Sequence, residues 1–452
     1  MIAPARLAAY EILSALSSGH GNLAGVSERV RSSLPDPRDR ALATEIATGV
    51  QRWRGQLDYL IEGFARRPLD KLDQEVLDIL RLGLYQLLHL TRVPVAALVS
   101  DAVEQTRRAR KSSASGLVNA VLRAVSRRRR ALPLPPRPTA LADRGAALDY
   151  LSVTLSHPRW LAARWFDRLG FECAERWMVF NNEPAPLTLR ANRLRIDPSS
   201  LRDELAEHGV SVSPGRFAPD SLLVRTGQPL QNPGADCGWF VVQDEASQLV
   251  ALLAGSAPGP RVLDACASPG VKTTTLAAAV GDGGRVVACD VRAGRMALLR
   301  RTVGSTGAEN VSLVQADLLS PLPFSAAFST VLVDAPCSGL GTLRRDPDIR
   351  WRRLETDLSA LAAAEERMLR NAAGVVGPGQ RLVYATCSSE PEENEQVARS
   401  FLHSAPEFSI VDARSTHPAL APVVDVEGFL RTRPDEHGLE SFFGAVFERR
   451  RF

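Results

Sequence analysis

Apolar residues recur every three to four positions through residues 1–127, and strand-like alternation is missing there. Leu77, Ile79, Leu80, Leu84, Leu87 and Leu88 draw one wide apolar face at the 3.6-residue period, so this part is predicted to be a small helical domain. Residues 1–20 carry Arg6 and Glu11 and read as an amphipathic helix rather than a secretory leader. The last helix of the domain, near residues 116–125, runs into Arg127, Arg128, Arg129 and Arg130 and then Leu132-Pro-Leu-Pro-Pro-Arg-Pro138. Arginines suit the negative end of a helix dipole, and the prolines stop the helix and favour an extended linker. A domain boundary is expected at residues 130–145.

Residues 150–237 show a mixed pattern. An apolar helical piece spans residues 160–169, Pro186-Leu-Thr-Leu-Arg-Ala-Asn192 reads as a strand, residues 199–208 as a helix, and Ser221-Leu-Leu-Val-Arg225 as another strand. This predicts a small α+β unit. From residue 238 the rhythm becomes strand, loop, helix. Arg261-Val-Leu-Asp264, Arg285-Val-Val-Ala-Cys-Asp290, Val311-Ser-Leu-Val-Gln-Ala-Asp317, Thr330-Val-Leu-Val-Asp334 and Arg381-Leu-Val-Tyr384 are short apolar runs, four of them ending in Asp. Strands alternating with helices imply a parallel sheet covered on both faces, with ligands at the carboxyl ends of the strands, where those aspartates lie.

Length and composition agree with several folded domains: 452 residues, 45% apolar and 23% charged, suit two to four of them and exclude a disordered chain. Charge adds a division. The net +4 separates into +9 over residues 1–140 and −5 over the remainder, and residues 91–140 hold 11 basic groups against only Asp101 and Glu104. That excess suits a polyphosphate partner; a membrane surface or a solvated face would show the same balance. No apolar run reaches the roughly 18 residues that span a bilayer. The six cysteines include no C-x-x-C pair, which excludes a disulfide scaffold and zinc-like spacing and points to a reducing cytoplasm. Only Lys71, Lys111 and Lys272 are lysines among 55 basic residues, which makes Lys272 conspicuous once its neighbours are read.

Those neighbours are Asp264-Ala-Cys-Ala-Ser-Pro-Gly-Val-Lys-Thr273. The turn fits neither G-x-G-x-x-G nor the phosphate loop, because Gly270 is its only glycine and Val271 precedes Lys272. It can still offer backbone N–H groups to a carboxylate at a helix N-terminus, and Asp290 stands where a carboxylate would accept ribose hydroxyls. S-adenosyl-L-methionine has a carboxylate and a ribose but no phosphate, and matches this combination; an ordinary strand-to-helix turn with a capping Asp is the alternative. Two cysteines lie just past strand ends, in Asp334-Ala-Pro-Cys337-Ser-Gly-Leu-Gly341 and Ala385-Thr-Cys387-Ser-Ser389. A lone cysteine is usually a small buried hydrophobe. Two on the ligand edge of one sheet are harder to set aside. A thiol also stands where a nitrogen methyltransferase would place an aromatic in [DN]-P-P-[YFW], which directs attention to carbon. Carbon 5 of a pyrimidine becomes nucleophilic only after a thiolate adds at carbon 6, and a base must then remove the carbon-5 proton. Two cysteines, an Asp and a Lys supply such parts.

These segments resemble the RNA cytosine-5 methyltransferases of the NOL/NOP2/Sun family: Asp264-x-Cys-Ala-x-Pro-Gly-x-Lys-Thr, Asp334-Ala-Pro-Cys-Ser-Gly, Thr386-Cys-Ser and, upstream, Val242-Gln-Asp-Glu-Ala-Ser-Gln248. Leu82-Gly-Leu-Tyr-Gln-Leu-Leu, Val93-Pro-Val-Ala-Ala and Leu117-Val-Asn-Ala-Val-Leu-Arg123 are similar to the NusB-like RNA-binding domain of one bacterial branch, which acts on 16S ribosomal RNA. Ser156-His-Pro-Arg-Trp160 and Thr188-Leu-Arg-Ala-Asn192 resemble its middle region. The resemblance implies an α/β, Rossmann-like class I S-adenosylmethionine-dependent methyltransferase domain at 238–452, a small α+β domain at 145–237 and an all-α NusB-like domain at 1–135. It implies Cys387 as nucleophile, Cys337 assisting proton removal or product release, Asp334 holding the cytosine at N3 and the amino group, and Lys272 beside the base. The methyl donor would be held by Cys266, Ala267, Ser268, Pro269, Gly270, Val271 and Lys272 with Asp290, Asp317 and Asp334. The implied partner is 16S ribosomal RNA, free or in an early small-subunit particle, with a monomeric cytoplasmic enzyme, no membrane and no metal. The same chemistry on transfer RNA, or a retired catalytic fold serving as an RNA-binding assembly factor, are the alternatives. Two departures from the family pattern stand out. Val271 replaces the second glycine of Pro-Gly-Gly-Lys, where a positive φ would not suit a β-branched residue, and Glu440-Ser-Phe-Phe443 replaces Asp-Gly-Phe-Phe. Weakened donor binding is the expected consequence.

Overall fold

The computed structural model describes every residue except 1, 92, 140–142, 256, 282, 326 and 452. Arg92 of the basic stretch and residues 140–142 of the expected boundary thus lie outside the described residues. The chain forms two units, Met1–Pro184 with Leu343–Glu355, and Ala185–Thr342 with Thr356–Phe452. Residues 145–237, expected as one α+β piece, fall on both sides of this division.

The first unit is helical, as the 3.6-residue period predicts. The helix Gln74–His89 is buried at every position from Val76 to Leu87, more than the one face seen in the sequence, and packs with Pro37–Ala65, Val95–Arg108 and Ser115–Arg128. Its buried Arg81 is held bidentately by Asp58 at 2.6 and 2.8 Å. Pro4–Ser17 is the amphipathic first helix, burying Ala5, Ala8, Ala9, Ile12 and Leu13. Ser115–Arg128 ends in the arginine run, and Arg127 to Arg130 are exposed.

Residues 343–355 also belong to this unit, which the sequence did not reveal. Arg350 is fully buried, with its guanidinium among the carbonyl oxygens of Ser156 (3.0 Å), Asn181 (3.3 Å), Leu343 (3.3 Å) and Arg52 (3.4 Å) and the Asn182 side-chain oxygen (2.9 Å).

The second unit contains two sheets. The smaller is antiparallel, built from β1 (Thr188–Ala191), β2 (Ser211–Pro214), β3 (Ser221–Thr226) and β4 (Phe240–Val242) in the order β2-β3-β1-β4, with the helix Pro198–Glu207 against it. The larger contains β5 (Arg261–Asp264), β6 (Arg285–Asp290), β7 (Val311–Gln315), β8 (Phe328–Asp334), β9 (Val376–Thr386), β10 (Phe408–Val411), β11 (Leu430–Arg431) and β12 (Phe443–Arg449). Its order is β10-β12-β9-β8-β5-β6-β7, with β11 paired to β12. The five strands β5 to β9 are parallel, as expected, and the sheet is extended beyond β9 by β12, with β10 and β11 paired to β12, all antiparallel. Side chains alternate between two cores: Leu332, Val383 and Val446 enter one, and Val331, Val333, Leu382, Tyr384 and Phe447 the other. Burial on both faces explains why these strands read as continuous apolar runs.

Candidate functional site

The strand order brings the carboxyl ends of β9, β8, β5 and β6 side by side, and with them Thr386, Asp334, Asp264 and Asp290. Pairing of Asp334 with Ala385 sets the loops after β8 and β9 next to each other. The Ala335 N–H donates to the Ala385 carbonyl at 2.8 Å and the Gly341 N–H to the Cys387 carbonyl at 2.9 Å. A side chain at 341 would lie 2.8 Å from that carbonyl oxygen and 2.0 Å from that of Ser441, so the close approach of these backbones needs glycine. The result is a direct contact between the two thiols, Cys337 Sγ to Cys387 Sγ, at 3.3 Å. Contact with Cys387 first, and burial second, push the Cys337 thiol well above its usual range. The Cys337 thiol therefore keeps its proton at neutral pH.

Beside them, Lys272 Nζ donates to Asp334 Oδ2 at 2.7 Å and lies 5.9 Å from the centre of the Phe442 ring. Burial works against the Lys272 charge, but Asp334, and after it Cys387, more than offset this and raise its pKa. The lysine thus stays an ammonium, paired with Asp334 and close to Cys387.

The loop after β5 leads into the helix Val271–Val280. Gly270 carries the left-handed conformation, φ 106°, and a Cβ there would meet Leu299 Cδ1 at 2.8 Å. Val271 is the first residue of the helix, and the non-glycine residues with positive φ are Arg66, Arg110 and Ser156 among the described residues. The strain expected at Val271 is therefore absent, since the glycine before it makes the turn. Asp290 accepts the Ser268 N–H at 3.2 Å and the Val291 N–H at 2.8 Å, and pairs with Arg295 at 3.3 Å, closing the loop Cys266–Lys272 against β6. Asp317 lies two residues beyond β7, exposed, and caps Leu319; among the described residues no hydrogen bond or ion pair joins it to the loop.

Two groups carry more than the sequence assigned them. Asp264 is buried, accepts the Thr273 hydroxyl at 2.7 Å on Oδ2, and has no hydrogen-bond donor on Oδ1 among the described residues. Burial is the main cause that pushes its carboxyl up to about 7. A strand-ending Asp immediately before the turn was its only sequence signal. Arg190, inside Thr188-Leu-Arg-Ala-Asn192, is a buried guanidinium that donates to the Val271 carbonyl at 2.5 Å and the Thr274 hydroxyl at 2.6 Å, thereby supporting the first turn of the loop's helix.

Comparison with known proteins places these parts in context. The model of a family described as 16S rRNA methyltransferase RsmB/F matches residues 251–448, the NusB family matches 3–127, and an RsmF/B-like ferredoxin-like domain matches 157–231. The chain is 30% identical to the probable ribosomal RNA small subunit methyltransferase B of Bacillus subtilis, covering 92% of this chain and 91% of that one. It is 35% identical to the ribosomal RNA small subunit methyltransferase B of Pseudomonas putida, covering 89% of each. The crystal structure of PH0851 covers 99% of both chains at 25% identity, with a TM-score of 0.82.

Proposed function

Because the chain belongs to the 16S rRNA methyltransferase RsmB/F family, we propose that it methylates carbon 5 of a cytosine in 16S ribosomal RNA through a covalent bond between Cys387 and carbon 6. The observation that carries this reading is the 3.3 Å contact of Cys337 and Cys387 beside the Lys272–Asp334 pair. The proposed substrate is the cytoplasmic RNA, free or in an early small-subunit particle.

The loop Cys266–Lys272, Asp264 and Asp290 fit S-adenosylmethionine. The buried Asp264 Oδ1 lacks a donor that a bound ammonium would supply, and the turn at Gly270 opens a helix N-terminus toward a carboxylate. When bound, that cofactor supplies a methyl group activated as a sulfonium. Asp317 and Asp334 complete the proposed donor set. In the chain itself, the Lys272 ammonium is held by Asp334 and lies within the electrostatic reach of Cys387. The thiolate adds to carbon 6 while Asp334 holds the N3 and amino edge of the base. Carbon 5 then takes the methyl group; its proton passes to a solvent base with Cys337 assisting, the C5–H electron pair forms the carbon 5 to carbon 6 double bond, and Cys387 leaves carbon 6 as a thiolate. The target base must leave its stack to reach these groups.

Bisulfite sequencing of ribosomal RNA from cells with and without the gene tests the proposal. One 16S cytosine is expected to be protected only when the gene is present; an unchanged 16S pattern would overturn the assignment of substrate. The RNA grip is tested separately. Arg127, Arg128, Arg129 and Arg130 are exposed, and no ion pair joins them to the described residues, whereas Arg107 pairs with Glu104 and Arg137 with Glu172 and Glu175. Changing all four to Gln should weaken RNA binding and reduce the slope of log K against log salt by about 0.7 for each phosphate that is no longer neutralised. An unchanged slope would return the run to solvent.

A further inference from the structure

Behind the two thiols lies a group of buried carboxyls that the proposed chemistry does not use. After β9 the chain runs Cys387-Ser-Ser-Glu-Pro-Glu-Glu393 through the short turn Pro391–Glu393 and into the helix Glu395–Ser404. Glu393 has no exposed surface. One of its oxygens accepts the backbone N–H of Ser338 at 2.6 Å and the other the hydroxyl of Ser388 at 2.5 Å. Those donors are the residues immediately after Cys337 and Cys387, and the two serine hydroxyls lie 3.2 Å apart. One carboxylate therefore ties together the loops whose thiols touch.

A second carboxyl stands against the first. Glu365, on the helix Asp357–Ala373, is also fully buried. The Tyr384 hydroxyl lies 3.0 Å from its Oε2 and 2.6 Å from the Glu393 carbonyl oxygen, while Oε1 has no N–H or O–H donor. Burial first, and the charge of Glu393 second, push the Glu365 carboxyl up to about 9. At neutral pH it holds a proton, and a proton on Oε1 can be donated to Glu393, which satisfies both groups.

Resting on the two-cysteine reading, we propose that Glu393 is a positioning residue for methyl transfer, fixing the Cys337 and Cys387 loops against each other, and that Glu365 acts through it by lending a proton. Neither group needs to touch the base. Their effect is on the distance between two sulfur atoms, and that distance can be read without methyl transfer.

The experiment treats the whole protein with diamide and follows formation of a Cys337 to Cys387 disulfide by peptide mass spectrometry, alongside kcat and KM. Glu393→Ala is expected to slow the cross-link and lower kcat by about tenfold to a hundredfold each, as ångström-scale misplacement does, with KM for RNA and calorimetric affinity for S-adenosylmethionine within about twofold. Ser388→Ala removes one of the two ties and should fall between wild type and Glu393→Ala, which keeps the test usable if the latter folds poorly. Glu365→Gln donates permanently where the shared proton does and should keep the wild-type cross-linking rate, whereas Glu365→Leu should lose it. Wild-type cross-linking and kcat in both Glu393→Ala and Ser388→Ala would overturn the proposal, and equal rates in the two Glu365 variants would overturn the part given to Glu365. Full turnover in Cys387→Ala would instead defeat the two-cysteine reading, leaving the cross-linking comparison to judge Glu393.

Discussion

Cys387→Ala is expected to abolish methyl transfer, with a fall in turnover of at least about 10⁴-fold, because no other group replaces the nucleophile that activates carbon 5. Cys337→Ala should fail differently. The first bond, from Cys387 to carbon 6, can still form, but release of the product is impaired, so protein bound covalently to RNA accumulates as a slower band in denaturing gels. The local electrostatics set this division of labour. Contact with Cys387 and burial hold the Cys337 thiol protonated, whereas Cys387 shares the field of the Lys272 ammonium. Adduct in Cys387→Ala and none in Cys337→Ala would reverse the assignment. In a Lys272→Met variant the band should form more slowly, since the cation that holds Asp334 beside Cys387 is gone.

What the sequence disclosed follows from which physical constraints are local. β5 and β6 have the bounds read from the apolar runs ending at Asp264 and Asp290, because a strand buried on both faces interrupts its apolar character only at its ends. β10 and β11 carried no such mark. β10 exposes Ser409 and Ile410, and the Phe442-Phe443 pair looked like a motif rather than the start of an antiparallel strand. The proximity of Cys337 and Cys387 was readable only as two strand-end loops; their contact depends on β8 and β9 being neighbours. Val271 looked strained because the sequence does not say which residue of a turn has positive φ, and Gly270 takes it. Glu390 and Glu393 are fully buried in the acidic segment Glu390-Pro-Glu-Glu-Asn-Glu395, whose sequence alone suggests no role. Burial of a carboxylate is decided by partners far along the chain, here Ser338 and Glu365, and no local pattern encodes them.

Residues 343–355 show the same limit, and Arg350→Met tests it with a large expected effect. The arginine lies in the part of the chain between the Cys337 loop and the helix Asp357–Ala373, where a sequence reader would place a surface connection. Instead its guanidinium is fully buried in the first unit, within 3.4 Å of four backbone carbonyls and the Asn182 side-chain oxygen, and Trp351 beside it donates to the Gln51 carbonyl at 2.6 Å. Burial, followed by the nearby Arg52, pushes its pKa down to about 9, so it remains charged at neutral pH and the fold bears a cost for that charge. Methionine removes the cost and fills much of the volume, but it withdraws donors from the Asn182 side-chain oxygen and from four buried carbonyl oxygens, and each buried acceptor left unpaired costs about 1–3 kcal/mol. The second effect outweighs the first because several acceptors share one guanidinium. A net loss of roughly 3 kcal/mol is expected, seen in calorimetry as a fall of about 10 °C in the melting of the first unit. Arg350→Lys should recover only part of it, since an ammonium cannot span the acceptors that the planar guanidinium reaches. A Met variant melting within about 2 °C of wild type would show that these carbonyls find other donors, and that residues 343–355 are not needed to complete the first unit's core.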